Sequence, residues 1–125
     1  MASNLKKAVK ATGRRGEELA VPFFVRRGYR VVAQNWSCRF GELDLVIQKG
    51  DELRIIEVKT RNEKARGSLR PYEAVTGRKL NKIGTAFAFF SAKHPTLPVD
   101  AHVDVLSVRL MENGTPIFQW IKDFG

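Results

Sequence analysis

Apolar residues recur at helical spacing in two stretches of the chain. The first runs from about residue 14 to residue 27. Pro22 lies inside this stretch, and because it lacks a backbone N–H and crowds the preceding turn, we expect a kink or an early end there. Gly28 is expected to end the helix. The second stretch has apolar residues at positions i, i+3, i+7 and i+10, namely Leu80, Ile83, Phe87 and Phe90.

Five segments have the alternation, or the β-branched and aromatic content, that is typical of strands. Three precede the second helix and two follow it: residues 29–36, 42–48, 53–60, 99–110 and 117–121. In the second segment, Leu43, Leu45 and Ile47 are expected on one face of the sheet. The predicted order is therefore helix, three strands, helix and two strands, which indicates the α/β (α+β) fold class.

The hydrophobic pattern places most of the chain in one domain. Residues 1–12 carry three lysines with few apolar anchors, so we expect a flexible basic N-terminal segment. Residues 13–125 contain no repeat, linker or low-complexity stretch, and a single domain is expected there. A chain of 125 residues buries roughly two thirds of its unfolded surface, enough for a core without metals or disulfides.

Composition excludes several classes of protein. The hydrophobic share of 43% is too high for a disordered chain. No apolar run approaches the roughly 18 residues of a membrane span, and no secretory signal opens the chain, so we expect no membrane association. A single cysteine, Cys38, leaves no internal disulfide and fits a reducing cytoplasm, the expected location. Two histidines and one cysteine are too few for a zinc cage.

Charge is arranged in blocks along the chain. The formal net charge is +9, and two strongly basic stretches, residues 1–30 and 61–95, flank a mildly acidic one. Most charged runs are simply solvated surface. The alternative is an acidic site flanked by basic surface that binds a polyanion such as nucleic acid. The choice depends on what the acidic stretch contains.

The acidic stretch predicts a hairpin with an unusual group of charges. If residues 49–52 form the turn, Asp44 faces Glu57 and Glu42 faces Lys59. Opposed residues share a face of the sheet, and Lys59 lies on the same face at roughly 7 Å from Glu57. Two carboxylates and an ammonium group therefore converge on one small area.

These opposed carboxylates are unfavourable unless something lies between them. At about 5 Å and an effective dielectric of 20, Asp44 and Glu57 repel by roughly 3 kcal/mol. Mg²⁺ is commonly held by one or two carboxylates while it keeps waters and takes up phosphate oxygens. A surface salt bridge with Lys59 is the alternative that the pattern leaves open.

The same residues resemble a known family. Residues 41–46, Gly-Glu-Leu-Asp-Leu-Val, and residues 57–61, Glu-Val-Lys-Thr-Arg, are similar to the paired motifs of the YraN family of small bacterial proteins. Further matches in the family's order are Gly16, Glu17, Ala20, Gly28, Tyr29 and Asn35. The family resembles PD-(D/E)XK nucleases, close to archaeal Holliday-junction resolvases. This implies a restriction-endonuclease-like core, with a mixed sheet flanked by helices.

The resemblance also implies roles for individual residues. Asp44 and Glu57 would ligate Mg²⁺ or Mn²⁺, with the carbonyl of Val58 as a third ligand. Lys59 would be the catalytic lysine. Glu17 matches the acidic residue that related resolvases bring to the metal from their first helix.

Basic residues on both sides of this group are expected to contact phosphates without reading sequence. Arg61 follows the lysine strand, and Lys79 falls where the family has a lysine on its second helix. The remaining members of the predicted surface come from the basic flanks: Arg14, Arg15 and Lys82.

These features predict a metal-dependent endonuclease that hydrolyses phosphodiester bonds in DNA, including branched DNA such as Holliday junctions. The alternative is a non-catalytic nucleic-acid-binding protein of the same fold. The resemblance to dimeric resolvases favours a homodimer over a monomer, and symmetric cutting of a four-way junction needs two sites. A sheet edge or the apolar residues near the C-terminus would form its interface, unless those residues only cover the domain's own core.

Overall fold

One mixed sheet of five strands has a helix packed on each face. The computed structural model describes the backbone of residues 2–62 and 77–124, and the side chains of residues 11–62 and 77–124. The elements are α1 (Ala2–Val25), β1 (Arg30–Cys38), β2 (Gly41–Lys49), β3 (Glu52–Asn62), α2 (Gly77–Lys93), β4 (His102–Leu110) and β5 (Pro116–Ile121). This is the predicted element order, and the α+β architecture is compatible with a nuclease-like α/β core.

The strands lie in the sheet in the same order as in the sequence. β1, β2 and β3 are joined as antiparallel neighbours, and β4 pairs with β5 in the same way. β3 and β4 are parallel, and α2 lies between them in the chain. Parallel neighbours need such a crossover connection, because the chain must return to the same end of the sheet.

The first helix is longer than the apolar pattern predicted. α1 begins at Ala2 rather than near residue 14, so it includes most of the segment expected to be flexible. Pro22 does not end the helix, which continues to Val25. The Pro22 carbonyl accepts a hydrogen bond from Arg26 N at 3.0 Å. The proposed boundary after residue 12 therefore lies inside a helix, and the flexibility of residues 1–12 stays a prediction.

The C-terminal end of α1 is closed by a glycine, as predicted. Gly28 has a φ of 90°, a conformation that glycine adopts without strain. Gly28 N donates to Val25 O at 3.0 Å and Tyr29 N donates to Phe24 O at 3.1 Å. This is the Schellman pattern, and the edge-to-face contact of the Phe24 and Tyr29 rings supplies its hydrophobic part.

Two hydrophobic clusters hold the helices to the sheet. α1 packs on one face, over a cluster that includes Ala20, Phe24, Leu45, Ile56 and Leu106. α2 packs on the other face, over Leu43, Val46, Ile55, Ile83 and Phe90. Each face of the β2–β3 hairpin is thus covered by one helix, which positions its acidic residues between two basic elements.

A polar cluster joins the first residues of β3 and β4 to the end of β5. The buried Asp104 carboxylate accepts hydrogen bonds from Arg54 at 3.0 Å, Trp120 Nε1 at 2.8 Å and Asp123 N at 2.8 Å. Trp120 and Phe118 of β5 also pack against the α1 cluster. Of the apolar residues near the C-terminus that were considered for a dimer interface, these two therefore cover the domain's own core.

Candidate active site

The β2–β3 hairpin has the predicted register up to one point. Five residue pairs are confirmed, from the turn to the pair Leu45–Ile56. The residue-by-residue pairing ends there, so the prediction that Asp44 directly faces Glu57 is wrong. The two strands separate where the next pair would form, and a side chain occupies the gap.

That side chain is the carboxylate of Asp44. Its Oδ2 accepts a hydrogen bond from Val58 N at 3.0 Å, so a side-chain oxygen replaces the backbone carbonyl of a regular ladder. The N–H and C=O of a strand residue point towards the same neighbouring strand. The Val58 carbonyl therefore also faces the gap, where the resemblance had placed a metal ligand.

The regular alternation of side chains is interrupted at Asp44 of β2 and at Asn35, which lies opposite it on β1. Leu45 packs in the α1 cluster, but Leu43 packs in the α2 cluster, so the prediction that they share a face is wrong. The register of β1 with β2 places Asn35 opposite Asp44, although the two do not form a ladder pair. Asn35 has a φ of 48°, a left-handed conformation that asparagine tolerates better than most residues.

Glu57 is the most unusual group of the site. Its side chain is 1% exposed, and neither carboxylate oxygen has a hydrogen-bond partner of good geometry among the described residues. Lys79 Nζ of α2 lies 3.4 Å from Oε1. Burial, and then the nearby Asp44 carboxylate, raise the pKa of Glu57 to about 7, although Lys79 and Lys59 act in the opposite direction.

The pKa values of two neighbouring carboxyl groups, those of Asp44 and Glu17, are also raised. Burial raises the pKa of Asp44, and the hydrogen bond from Val58 opposes that shift. Burial and the Asp44 carboxylate raise the pKa of Glu17, while a hydrogen bond with the Asn35 side chain lowers it. Glu17 is half-buried and its neighbour Glu18 is exposed, which favours Glu17 as the site residue on α1.

A close approach of α1 to β3 positions Glu17. Gly16 lies directly against Thr60, and a β-carbon at position 16 would overlap the Thr60 hydroxyl. Only glycine permits this approach without movement of the helix. The Gly-Glu pair of the sequence thus has two functions: Gly16 lets the helix dock, and Glu17 faces the acidic group.

The two lysines differ in position. Lys79 contacts Glu57 directly, whereas the sequence had suggested only a phosphate contact. Lys59 is half-buried, and its charge lowers the pKa of both Asp44 and Glu57, with less effect than Lys79. The ladder ends before Glu42 and Lys59 could pair, so that predicted pair is also wrong.

The predicted phosphate-binding residues are distributed around this group. Arg14 and Arg15 are exposed on α1, and Lys82 is exposed on α2, one turn beyond Lys79. Arg61 is half-buried on β3, and its Nε has no hydrogen-bond partner in the described part of the chain. Basic side chains therefore lie on both helices that flank the acidic residues.

The donor set fits a hard divalent cation with few protein ligands. In residues 11–62 and 77–124, no three His, Cys, Asp or Glu side chains are arranged as a metal cage. Asp44, Glu57 and the Val58 carbonyl nevertheless provide two carboxylates and a backbone oxygen around one gap. Mg²⁺ commonly binds in this way, since it retains several waters. The Glu57 oxygens, which have no hydrogen-bond partner within residues 11–62 and 77–124, are consistent with such a ligand.

A sheet of this topology with paired acidic residues on its central hairpin is compatible with a nuclease-like α/β protein. The chain belongs to UPF0102, described as an uncharacterised protein family, whose sequence profile matches residues 16–108. The assignment to the YraN family is thereby confirmed, because the two names denote one family.

Bacterial relatives support this assignment over most of the chain. A UPF0102 protein of Frankia alni is 42% identical over 102 residues, which cover 82% of this chain and 83% of the relative. A UPF0102 protein of Renibacterium salmoninarum is 34% identical over 113 residues, covering 90% and 94%. In the described part of the chain, no helix has the length and hydrophobicity that crossing a membrane requires.

Proposed function

We propose that this protein is a metal-dependent endonuclease that hydrolyses phosphodiester bonds in DNA, including branched DNA such as Holliday junctions. The burial of Glu57 beside Asp44, with carboxylate oxygens that accept no hydrogen bond from the described residues, carries the proposal. A carboxylate that is buried and repelled by a neighbouring carboxylate does not stabilise the fold. Carboxyl groups with pKa values shifted in this way are concentrated at functional sites. The flanking basic residues supply a surface for the phosphate backbone of the substrate.

Asp44, Glu57 and the Val58 carbonyl would hold Mg²⁺ or Mn²⁺. The bound ion would polarise a phosphoryl oxygen and offset the negative charge of the phosphate. The Val58 N–H fixes the orientation of the Asp44 carboxylate through Oδ2. Lys79, 3.4 Å from Oε1, favours the ionised form of Glu57 without fully offsetting its raised pKa, and it restrains the carboxylate.

Lys59 and Glu17 would act on the substrate side of the gap. The Lys59 ammonium can donate a charge-assisted hydrogen bond to the scissile phosphate and stabilise the charge that develops on it. Glu17, with its raised pKa, can accept a proton from a water molecule or hold one near the gap. Arg14, Arg15, Arg61 and Lys82 would position the DNA backbone.

A non-catalytic nucleic-acid-binding protein of the same fold is the second candidate. The exposed basic side chains of α1 and α2 fit it, because they would contact phosphates whether or not the acidic group holds a metal. Such a protein would retain the salt-dependent binding of the basic helices and lack hydrolysis. A cleavage assay with divalent metal separates the two functions.

We further propose a cytoplasmic location, where bacterial DNA is found, and a two-fold dimer as the form that cuts a four-way junction. Two copies related by a two-fold axis would present two identical sites to opposed strands. Sedimentation with and without a four-way junction tests the dimer. A monomer under both conditions would leave a nicking enzyme or a non-catalytic binder.

The experiment that tests the function is a cleavage assay on end-labelled linear, flap and four-way DNA with Mg²⁺ or Mn²⁺. The wild-type protein should cut at least one substrate, and chelation of the metal should stop cutting. Glu57→Gln should lower the rate by a factor on the order of 100 or more, because a metal ligand and its charge are lost. Glu18→Gln, an exposed neighbour of Glu17, is the matched control and should cut normally. Binding without cleavage in the wild type would support the second candidate.

A further inference from the structure

Two aromatic rings form an exposed stack outside the acidic site. Phe40, in the turn between β1 and β2, lies parallel to Phe89 of α2, with ring centroids 4.8 Å apart and an interplanar angle of 22°. Phe40 is 41% exposed and Phe89 is 44% exposed. The Arg39 guanidinium lies 5.2 Å from the centre of the Phe40 ring. We call these three residues the aromatic platform.

Two other aromatic residues with basic neighbours in the sequence, Tyr29 and Trp36, are not available for stacking on a base. Tyr29 belongs to the buried α1 cluster, and Trp36 packs against the α2 cluster with its ring edge-to-face on Phe90. The exposure of Phe40 and Phe89 is therefore not a general property of the aromatic residues. Among the aromatic residues that the structure describes, such exposure is confined to this one place, where a cation lies beside the rings.

The turn between β1 and β2, which carries Phe40, packs against α2. Gly41, next to Phe40, packs close to Lys82 and Ala86, so that a β-carbon on Gly41 would lie 3.5 Å from Lys82 O. The turn is thus fixed to the helix that also carries Phe89 and the site residue Lys79. Helical geometry separates Lys79 from Phe89 by about 15 Å along the axis.

Charge on α2 identifies the kind of partner. Arg78, Lys82, Phe89 and Lys93 recur at spacings of four, seven and four residues, which places them on one side of the helix. The helix carries no acidic residue. In a two-fold contact through this face, each copy would bring the same cations against its partner, and like charges across an interface are unfavourable. A polyanion that also has flat apolar groups is complementary to this side of α2.

We propose that the aromatic platform stacks an unpaired base of a nucleic-acid strand that runs from the acidic site along α2. This inference rests on the proposed function and names the substrate class of the same surface. Every base has a π-face, so stacking on Phe40 or Phe89 accepts any base, while Lys82 and Lys93 neutralise adjacent phosphates. Arg39 adds a cation at the edge of the stack.

The spacing predicts where the unpaired base lies. A stacked strand advances 3.4 Å per nucleotide, so the roughly 15 Å between Lys79 and Phe89 corresponds to about four nucleotides. Flaps, gaps and open junctions have unpaired bases near a duplex end, whereas blunt duplexes do not. The platform would therefore favour such DNA over blunt duplex.

The test measures binding in the absence of divalent metal, so that it does not depend on cleavage. Fluorescence anisotropy at one salt concentration compares a labelled single strand, the same strand with abasic linkers, and a blunt duplex. The double variant Phe40→Leu/Phe89→Leu should bind the single strand roughly five- to 150-fold more weakly and the duplex within twofold of wild type. Wild type should bind the abasic strand as weakly as the variant does.

Ile117→Ala is the matched control, because Ile117 is an equally exposed apolar residue, 44%, on β5. It should leave all three affinities unchanged, and thermal unfolding should show that both variants fold. Equal single-strand binding by wild type and double variant would overturn the inference. So would an equal loss for strand and duplex, or sedimentation showing that the double variant dissociates a dimer. Wild-type protein that binds no nucleic acid would overturn the proposed function as well.

Discussion

Glu57 is placed where its own charge is unfavourable. Its carboxyl group is buried next to Asp44, which raises its pKa, and the Lys79 ammonium group offsets only part of that rise. Spacing along the two strands was enough to identify Asp44, Glu57 and Lys59, because a hairpin turn of known length brings defined residues together. The contact of Lys79 with Glu57 was not predictable, since it depends on how α2 is placed over the sheet.

The raised pKa of Glu57 predicts a dependence of stability on pH. The folded protein, with a pKa of about 7, binds this proton more tightly than the unfolded chain, with a pKa near 4.5. The group's contribution to the free energy of unfolding therefore falls as pH rises from about 4.5 to about 7, and is constant above that range. Glu57→Gln removes the titrating group. Its stability relative to wild type should rise by about 2 kcal/mol between pH 5 and pH 8.

Urea unfolding in chelator at the two pH values measures this difference. Glu112→Gln, an exposed glutamate in the β4–β5 turn, is the control and should follow the wild-type curve. If Glu57→Gln and wild type changed in parallel between pH 5 and pH 8, the description of Glu57 as a buried, repelled carboxyl group would be wrong.

At the scale of elements, the site depends on two departures from regular structure. β2 and β3 separate at Asp44, and β1 has a left-handed residue opposite, Asn35. A period-two pattern assumes continuous pairing, so it predicted the register near the turn and failed where the Asp44 side chain replaces a backbone acceptor. The sequence identified Asn35 only through the resemblance to the family, and its neighbouring residues did not indicate a positive φ.

The docking of α1 on β3 predicts opposite effects for two glycines of one helix. Gly16→Ala should destabilise the protein by about 1–3 kcal/mol, because the new methyl group overlaps Thr60 and the helix must shift. Gly13→Ala meets no atom within 4 Å and should stabilise by about 0.5–1 kcal/mol, as alanine favours a helix interior. Gly16→Ala should also slow cleavage, since Glu17 moves with the helix.

Urea unfolding of both variants measures these effects. The double variant Gly16→Ala/Thr60→Ala should recover part of the lost stability, because the overlapping hydroxyl and methyl groups are removed. Equal effects of the two glycine substitutions would contradict a close contact at Gly16.

For the whole molecule, the order of elements followed from the sequence and the spatial arrangement did not. Helix and strand periods are local, so they predicted two helices and five strands. The parallel pairing of β3 with β4 depends on the crossover through α2, and a mixed sheet was expected only from the family resemblance. The helix start at Ala2 was missed because few apolar residues mark that segment.

The charge of the whole molecule predicts how DNA binding responds to salt. With a net charge of +9 and cations on both flanking helices, affinity for unrelated duplexes should be similar and should fall steeply with salt. Lys82→Ala should reduce the slope of log K against log salt by roughly 0.9, the value for one phosphate contact. Lys122→Ala, near the C-terminus, should leave the slope unchanged. Binding that is independent of salt would be incompatible with this surface.

The most direct test of the account is a calorimetric titration of the protein with Mn²⁺. The wild-type protein should bind an ion at the gap between β2 and β3. Asp44→Asn and Glu57→Gln should each abolish binding, because each removes one of the two carboxylates, while Glu18→Gln should bind as wild type does. Equal Mn²⁺ binding by the wild type and by both site variants would contradict the assignment of Asp44 and Glu57 as a metal site.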